Sequence, residues 1–248
     1  MLQRKMKFLK RVLIILVSTY SIVNYAYSQS QPSQQKSIIS PQIVVLNFEQ
    51  QRDTLRIPIV SDKYPALKNA LSYKNIFDGD DLPDVIKKYQ SCGCGITNLD
   101  YDVTFESKGI VSIILYFNTM SAYPDDYQKL LTFNISTGER YPIANEINSQ
   151  GLKWIFNNYK TILRKRIFND KKENPDENID GYNELNTTVD SLRSDELFGK
   201  YIFVKGQIMF SINKILPHVV QDIEPNRDWL IPYDKLKAYK TPGAIVLK

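Results

Sequence analysis

The chain has 248 residues, 43% of them hydrophobic and 24% charged, enough to bury one good core or two small lobes. Its formal charge of +5 comes from 32 Lys and Arg against 27 Asp and Glu, with a single histidine. Five of the basic residues lie in the first eleven positions with no acid among them, which leaves 27 against 27 in the remainder. Nucleic-acid binding wants a clustered positive excess and is excluded as the expectation.

Residues 1–28 have the three-part layout of a secretory signal peptide. Arg4, Lys5, Lys7, Lys10 and Arg11 precede an uncharged apolar stretch over 12–23, and Ala26-Tyr27-Ser28 offers small residues at the two positions a signal peptidase reads. The apolar stretch is short for a bilayer span. Cleavage after Ser28 and an extracytoplasmic location, periplasmic or secreted, are expected, with no stable membrane span afterwards; retention as an N-terminal anchor is the alternative. No cysteine stands near that point to take a bacterial lipid anchor. Residues 29–41 are rich in Gln and Ser and read as a flexible linker. Residues 42–248 read as a single domain, with an N-terminal part 42–100 and a sheet core and C-terminal part 101–248.

In chain order, 43–48 and 54–60 are expected strands joined through Glu49-Gln50-Gln51-Arg52, and Pro58 suggests an edge position. Ser61 or Asp62 is placed to cap a helix over 65–77, with Pro65 in its first turn and Leu67, Ala70 and Leu71 inward. Asp78-Gly79-Asp80-Asp81 is an acidic loop. Asp81 and Pro83 then read as cap and first turn of a short helix carrying Val85, Ile86 and Tyr89 on one side. Cys92 and Cys94 follow as Ser91-Cys92-Gly93-Cys94-Gly95. The glycines permit the sharp bend that one-residue spacing requires, so the pair is expected to be bonded, or close enough to bond, as a local staple. A labile redox pair and a metal site are the alternatives; two thiolates and one histidine make a poor zinc site.

Tyr101, Val103 and Phe105 alternate with Asp102, Thr104 and Glu106, the period of a half-buried strand. After the turn Glu106-Ser107-Lys108-Gly109, residues 110–117 are apolar at both parities except Ser112, which marks a strand covered on both faces. Residues 119–128 read as a loop; Leu131, Phe133 and Ile135 resume the alternation, and Thr137-Gly138 turns into a short strand around Arg140 and Tyr141. Leu152, Ile155, Phe156, Tyr159, Leu163 and Ile167 fall at helical spacing over 149–168. Residues 169–182 read as a polar loop, followed by a weaker helix including Val189, Leu192 and Leu197. A hairpin pairs 201–204 with 208–212 across Lys205-Gly206, 217–220 returns to the sheet, and 229–232 leads into a C-terminal helix over 233–239. The fold class is α+β: an antiparallel sheet with helices 65–77 and 149–168 packed on one face. The segregated order of strands and helices argues against a parallel α/β sheet.

The chemical inventory favours a non-enzyme without cofactor, catalytic residue or metal site. The one histidine, His218, lies in apolar Leu216-Pro217-His218-Val219-Val220 without a nucleophile elbow. No HExxH, P-loop, GxGxxG or EF-hand pattern occurs. Asp78, Asp80 and Asp81 offer oxygen ligands but lack the later Glu of a calcium loop. Asn134-Ile135-Ser136 and Asn186-Thr187-Thr188 match a glycosylation acceptor, a pattern common by chance.

Several segments in order resemble one family: Tyr101-Asp102-Val103-Thr104-Phe105, the strand over 110–115, Ala122-Tyr123-Pro124, Leu131-Thr132-Phe133-Asn134 to Thr137-Gly138, and Ile231-Pro232-Tyr233 with Leu236 after a hairpin. Over most of 42–239 they look like the extracytoplasmic domain shared by PdaC-type peptidoglycan deacetylases and RsiV-type lysozyme-sensing anti-sigma factors. Three departures stand out. The family loop before Ala-Tyr-Pro is usually richer in glycine than 118–121. The family's tyrosine-bearing segment is Leu216-Pro217-His218-Val219 here. The deacetylases' catalytic domain, with its Asp and His metal ligands, has no counterpart in this sequence, and only a few basic residues precede Val12 where the anti-sigma proteins carry a cytoplasmic segment.

The resemblance implies a secreted, non-catalytic binding module of the bacterial cell envelope, with a lysozyme-like protein or peptidoglycan as partner. Tyr123, Pro124, Asp125, Asp126 and Tyr127 are the expected contact residues, since aromatic anchors beside acids suit a basic protein; the competing reading is that Tyr123 and Pro124 only fix the loop. The other function classes are an envelope hydrolase or deacetylase-related enzyme using carboxylates and His218, and a structural envelope protein.

Overall fold

A computed structural model of the chain describes residues 37–174, 179–194, 198–211, 216, 223–224 and 228–247. The expected signal peptide 1–28, the linker up to residue 36, His218 with the expected strand 217–220, and Leu197 lie outside the described residues.

Ten-residue runs rich in Ile, Val and Leu on either side of Glu49-Gln50 fold back on each other as β1 (Ile39–Phe48) and β2 (Gln51–Val60). Glu49 turns the chain with a φ of 51°. β3 (Gly95–Ser107), β4 (Ile110–Met120) and β5 (Pro124–Asn134) complete a five-stranded sheet in the order β1-β2-β3-β4-β5. All its pairs are antiparallel except β2–β3, which meet in parallel at Leu55 and Leu99. The expected pairing of 101–105 with 110–117 is present, with Val103 opposite Ile113 and Tyr101 opposite Leu115.

Successive side chains of β4 point to opposite faces. Val111, Ile113, Leu115 and Phe117 share a core with three short helices, α1 (Pro65–Ala70), α2 (Tyr73–Ile76) and α3 (Leu82–Cys92). Each such buried side chain contributes roughly 1.5–3 kcal/mol. The opposite face carries Ile110, Ser112 and Ile114. It meets a second sheet of β6 (Tyr201–Val204), β7 (Gln207–Ser211) and β8 (Asp228–Pro232), in that order.

Ser112, the one polar residue of the β4 run, has its explanation here. β6 is the end strand of its sheet, so one row of its backbone groups lacks a strand partner, a liability wherever it is buried. The larger sheet supplies side-chain hydroxyls instead. Phe203 N–H donates to Ser112 Oγ (3.1 Å), Thr132 Oγ1 to the Tyr201 carbonyl (3.1 Å) and Thr104 Oγ1 to the Phe203 carbonyl (2.8 Å). Ser112 and Thr132 bond each other at 2.9 Å, and both are fully buried.

The long helix α4 (Ser149–Glu173) presents Ile155, Tyr159, Leu163 and Ile167 to a core formed with β6, β7 and α5 (Ile179–Ser191). Asn148 caps it by accepting the Gly151 N–H at 2.9 Å. The α+β class therefore stands, and its helices divide between two cores: α1–α3 cover one face of the five-stranded sheet, while α4 and α5 pack with the three-stranded one. α6 (Tyr233–Leu236) and a 3-10 turn (Lys237–Tyr239) close the chain. Here Glu146, fully buried, accepts N–H bonds from Ile245 (2.9 Å), Val246 (3.0 Å) and Leu247 (2.9 Å), and the Tyr141 hydroxyl at 2.8 Å. No helix among the described residues is long and apolar enough to cross a membrane.

Local expectations are corrected at several points. β1 starts inside the stretch read as linker, because Ile39 pairs with Val60 and is buried. Pro58 is not on an edge strand: β2 lies between β1 and β3, and it pairs with β3 at Leu55, three residues short of the proline. The first helix is capped at Tyr64 rather than Ser61 or Asp62, since Ser61 offers its carbonyl to Tyr64 N–H and Asp62 binds Lys68 (2.6 Å). It also breaks at Leu71–Ser72 into two pieces. The polar loop over 169–182 is largely helical, because α4 runs on to Glu173 and α5 begins at Ile179.

Candidate functional site

The five residues singled out in sequence lie at the tip of the β4–β5 hairpin, and the loop there is shorter than expected. Met120 pairs with Pro124, Thr119 with Asp125, Asn118 with Asp126 and Phe117 with Tyr127, so four of the five stand on strand β5. Only Ser121, Ala122 and Tyr123 form the connection, with Ser121 N–H donating to the Tyr123 carbonyl at 3.2 Å. Tyr123 is the apex and is 79% exposed.

The register divides the set. Asp125 and Tyr127 share the face that carries α1–α3, while Pro124 and Asp126 point to the other. Tyr127 is stacked on Phe117, ring centroids 4.7 Å apart and nearly parallel. Its phenol is pushed above the ordinary range by burial first and by the charge of Asp78 second. Tyr127 thus stiffens the hairpin, whereas Tyr123 projects from it.

Lys129, two residues on and on the same face as Tyr127, ties the hairpin to the acidic loop. Its Nζ donates to the Ile76 carbonyl (2.8 Å) and Asp78 Oδ1 (2.6 Å), and lies 5.2 Å from the Phe117 ring centroid. Asp81 meets Lys74 at 3.5 Å. Two of the three carboxylates of the Asp78–Asp81 loop thus already have counter-ions. No cluster of three or more metal-ligating side chains occurs among the described residues.

The cysteines stand beside the same tip. Cys92 ends α3, Gly93 caps that helix in the left-handed region (φ 61°), and Gly95 opens β3 opposite Met120. Cys92 and Cys94 are joined in a disulfide, with Cα atoms 5.1 Å apart. A Cβ on Gly93 would come within 2.6 Å of the Phe48 ring, so the turn needs glycine twice over. Cys94, Lys88, Asp80, Thr119 and Met120 border a cleft of about 300 Å³ between this turn and the hairpin. Closing so short a loop removes little chain entropy. The Cys92→Ala/Cys94→Ala variant is therefore expected to lose less than the roughly 3 kcal/mol of a fifteen-residue loop. Urea unfolding measures it, alongside thiol counting, which should find no free thiol; a loss of several kcal/mol would make the turn a principal structural staple.

One end of the five-stranded sheet therefore gathers an exposed tyrosine, aspartates 80, 125 and 126, and a disulfide turn on a rigid hairpin. The acids and the aromatic apex were legible in sequence, but the parts played by Lys129 and Phe117 depend on strand register.

No family model matches the chain, and no curated protein matches it. Among solved structures, it is similar to a DUF3298 family protein from Pseudomonas aeruginosa PAO1, at 10% identity over 83% of this chain and 94% of that one, with a TM-score of 0.51. It is also 12% identical to a DUF3298 family member from Bacteroides fragilis NCTC 9343, over 83% and 93% of the two chains, with a TM-score of 0.46. The likeness to the Pseudomonas protein is one of fold: the architecture is that of a DUF3298-type domain.

Proposed function

We propose that this chain is an extracytoplasmic, non-catalytic binding module of the bacterial envelope, and that its partner is a basic, lysozyme-like protein met by the β4–β5 tip. The observation that carries the reading is Tyr123, 79% exposed at the apex of a hairpin that Tyr127, Phe117 and Lys129 hold stiff. A rigid aromatic loses little side-chain entropy on binding, which is how a few residues come to dominate an interface. Asp125 and Asp126 beside it would steer a cationic partner and speed association. The likeness in sequence to the domain of lysozyme-sensing proteins and peptidoglycan deacetylases supports the same class. Peptidoglycan is the second partner, favoured by the exposed ring as an apolar platform for a sugar face. The alternative of a hydrolase or deacetylase-related enzyme uses carboxylates and His218, and that histidine lies outside the described residues.

Pull-down with lysozyme and sedimentation with peptidoglycan separate the partners. Lysozyme binding is expected, and Tyr123→Ala should weaken it by about 2 kcal/mol, the scale of a hot-spot aromatic. Asp125→Asn with Asp126→Asn should mainly slow association and flatten its salt dependence. Retention on neither ligand, or a Tyr123→Ala variant that binds as well as the parent, rejects the reading.

A further inference from the structure

A second concavity lies away from the hairpin tip, between α1–α2 and the C-terminal half of β5. It encloses about 510 Å³, within the roughly 300–1,000 Å³ usual for small-molecule sites. Leu71, Ile76, Leu131 and Phe133 give it an apolar floor; Asn69, Asn75 and Arg140 supply polar groups.

Arg140 is the residue that needs explaining. It pairs with Phe133 in an isolated bridge, and its guanidinium lies 5.3 Å from the centre of the Phe133 ring. One terminal nitrogen, Nη2, donates to the carbonyls of Leu130 (3.0 Å) and Gly199 (3.4 Å). A guanidinium has five N–H donors in a fixed fork, so three have no partner among the described residues. No carboxylate among the described residues forms an ion pair with Arg140. Partial desolvation lowers its pKa, while the side chain stays open to solvent at the edge of the cleft. An anion can therefore reach it without crossing the core.

The walls are preformed. Gly138 presses on α1 so closely that a Cβ there would come within 2.3 Å of the Ala66 carbonyl oxygen. Asn75 Nδ2 donates to the Asn69 carbonyl at 2.9 Å, which joins α1 to α2 at the mouth.

We infer that this cleft binds a carboxylate attached to a small apolar body, with Arg140 taking the carboxylate and the Leu71–Phe133 floor taking the aliphatic part. A guanidinium fork matches a carboxylate's two oxygens. The apolar floor disfavours inorganic anions, which have nothing to bury. Two sources share this chemistry: the C-terminal end of a short peptide and a free aliphatic acid. The site is separate from the hairpin tip and stands whether or not that surface binds lysozyme.

The test is an NMR titration of the whole chain with N-acetyl-alanyl-alanine, its C-terminal amide, and butyrate. The expected result is a shift of the Leu131, Phe133 and Asn75 signals by at least one of the two acids, with the amide about tenfold or more weaker than the acid dipeptide wherever that dipeptide binds. A tighter dipeptide acid assigns the peptide source, and tighter butyrate assigns the free acid. Arg140→Gln should abolish binding, and Arg140→Lys, which keeps the charge and loses the fork, should weaken it. Because Arg140 also holds two carbonyls, Asn69→Trp serves as the second variant: it fills the mouth, leaves the guanidinium in place and should also block binding. The inference is overturned when neither acid binds, when acid and amide bind alike, or when Asn69→Trp binds like the parent.

Discussion

Glu146→Ala is expected to destabilise the domain by about 3–5 kcal/mol, since each buried donor left unsatisfied costs about 1–3 kcal/mol and four are involved. The carboxylate is fully buried and takes the N–H groups of Ile245, Val246 and Leu247 together with the Tyr141 hydroxyl. Charge-assisted bonds of this kind are about twice as strong as neutral ones. Deletion strands the four donors in a core that also holds Leu236, Val246 and Leu247. Water entering the vacated space restores part of the loss, which keeps the figure below the sum of the four. Burial and the bond to Glu146, in that order, push the Tyr141 phenol well above its ordinary pKa. Glu146→Gln keeps the volume and one acceptor oxygen, so it should lose about half as much. Urea unfolding gives both values. Amide exchange at 245–247 should accelerate more than exchange in β1, which lies in the other core. A Glu146→Ala variant within about 1 kcal/mol of the parent would mean that the tail is not held by this carboxylate.

That clamp shows what sequence reading reaches and what it does not. The alternation of Tyr101, Val103 and Phe105, the two-sided apolar run of β4 and the helical spacing from Ile155 to Ile167 are local patterns, and each produced the expected element. Glu146 is a single acid in an unremarkable polar stretch, and three of its four partners lie about a hundred residues away. Ser112 looked like an interruption of an apolar strand; its role is to satisfy the edge of a strand ninety-one residues distant. Residues 124–128 read as loop in sequence because 124–127 are exposed beyond the core, and a strand wet on both faces carries no period-two signal. The end of α4 at 169–173 is charged and polar, so no apolar stripe marks it; α5 does carry one, Tyr182, Leu185 and Val189, but Asp180, Gly181 and Asn183 at its start are poor helix formers. At the candidate surface, the exposed aromatic apex was legible from Ala122-Tyr123-Pro124. That Asp125 and Asp126 point to opposite faces follows from the pleat once 124–127 is a strand, and which face each takes is set by pairing with β4.

Gly138→Ala is the other substitution expected to act strongly, at about 3 kcal/mol, combining a left-handed backbone penalty of about 1–2 kcal/mol with overpacking of about 1–3 kcal/mol. Gly138 has a φ of 69°, where a side chain is strained whatever surrounds it. An added Cβ would also lie 2.3 Å from the Ala66 carbonyl oxygen and 2.5 Å from its carbon. Those are backbone atoms of α1 and cannot swing aside as a side-chain tip does, so relief requires the helix to move off the sheet. Leu67 in α1 and Leu71 at its C-terminal cap would then lose contact with the core they share with Phe133. Gly109 is the internal control. Its φ of 78° is nearly the same, but an added Cβ there meets nothing within 4 Å. Gly109→Ala should therefore show the conformational part alone, about 1 kcal/mol, and the difference between the two variants measures the close approach of the turn to α1. Equal losses in urea unfolding would show that Gly138 is kept for its backbone angle alone and that α1 yields readily to a methyl group.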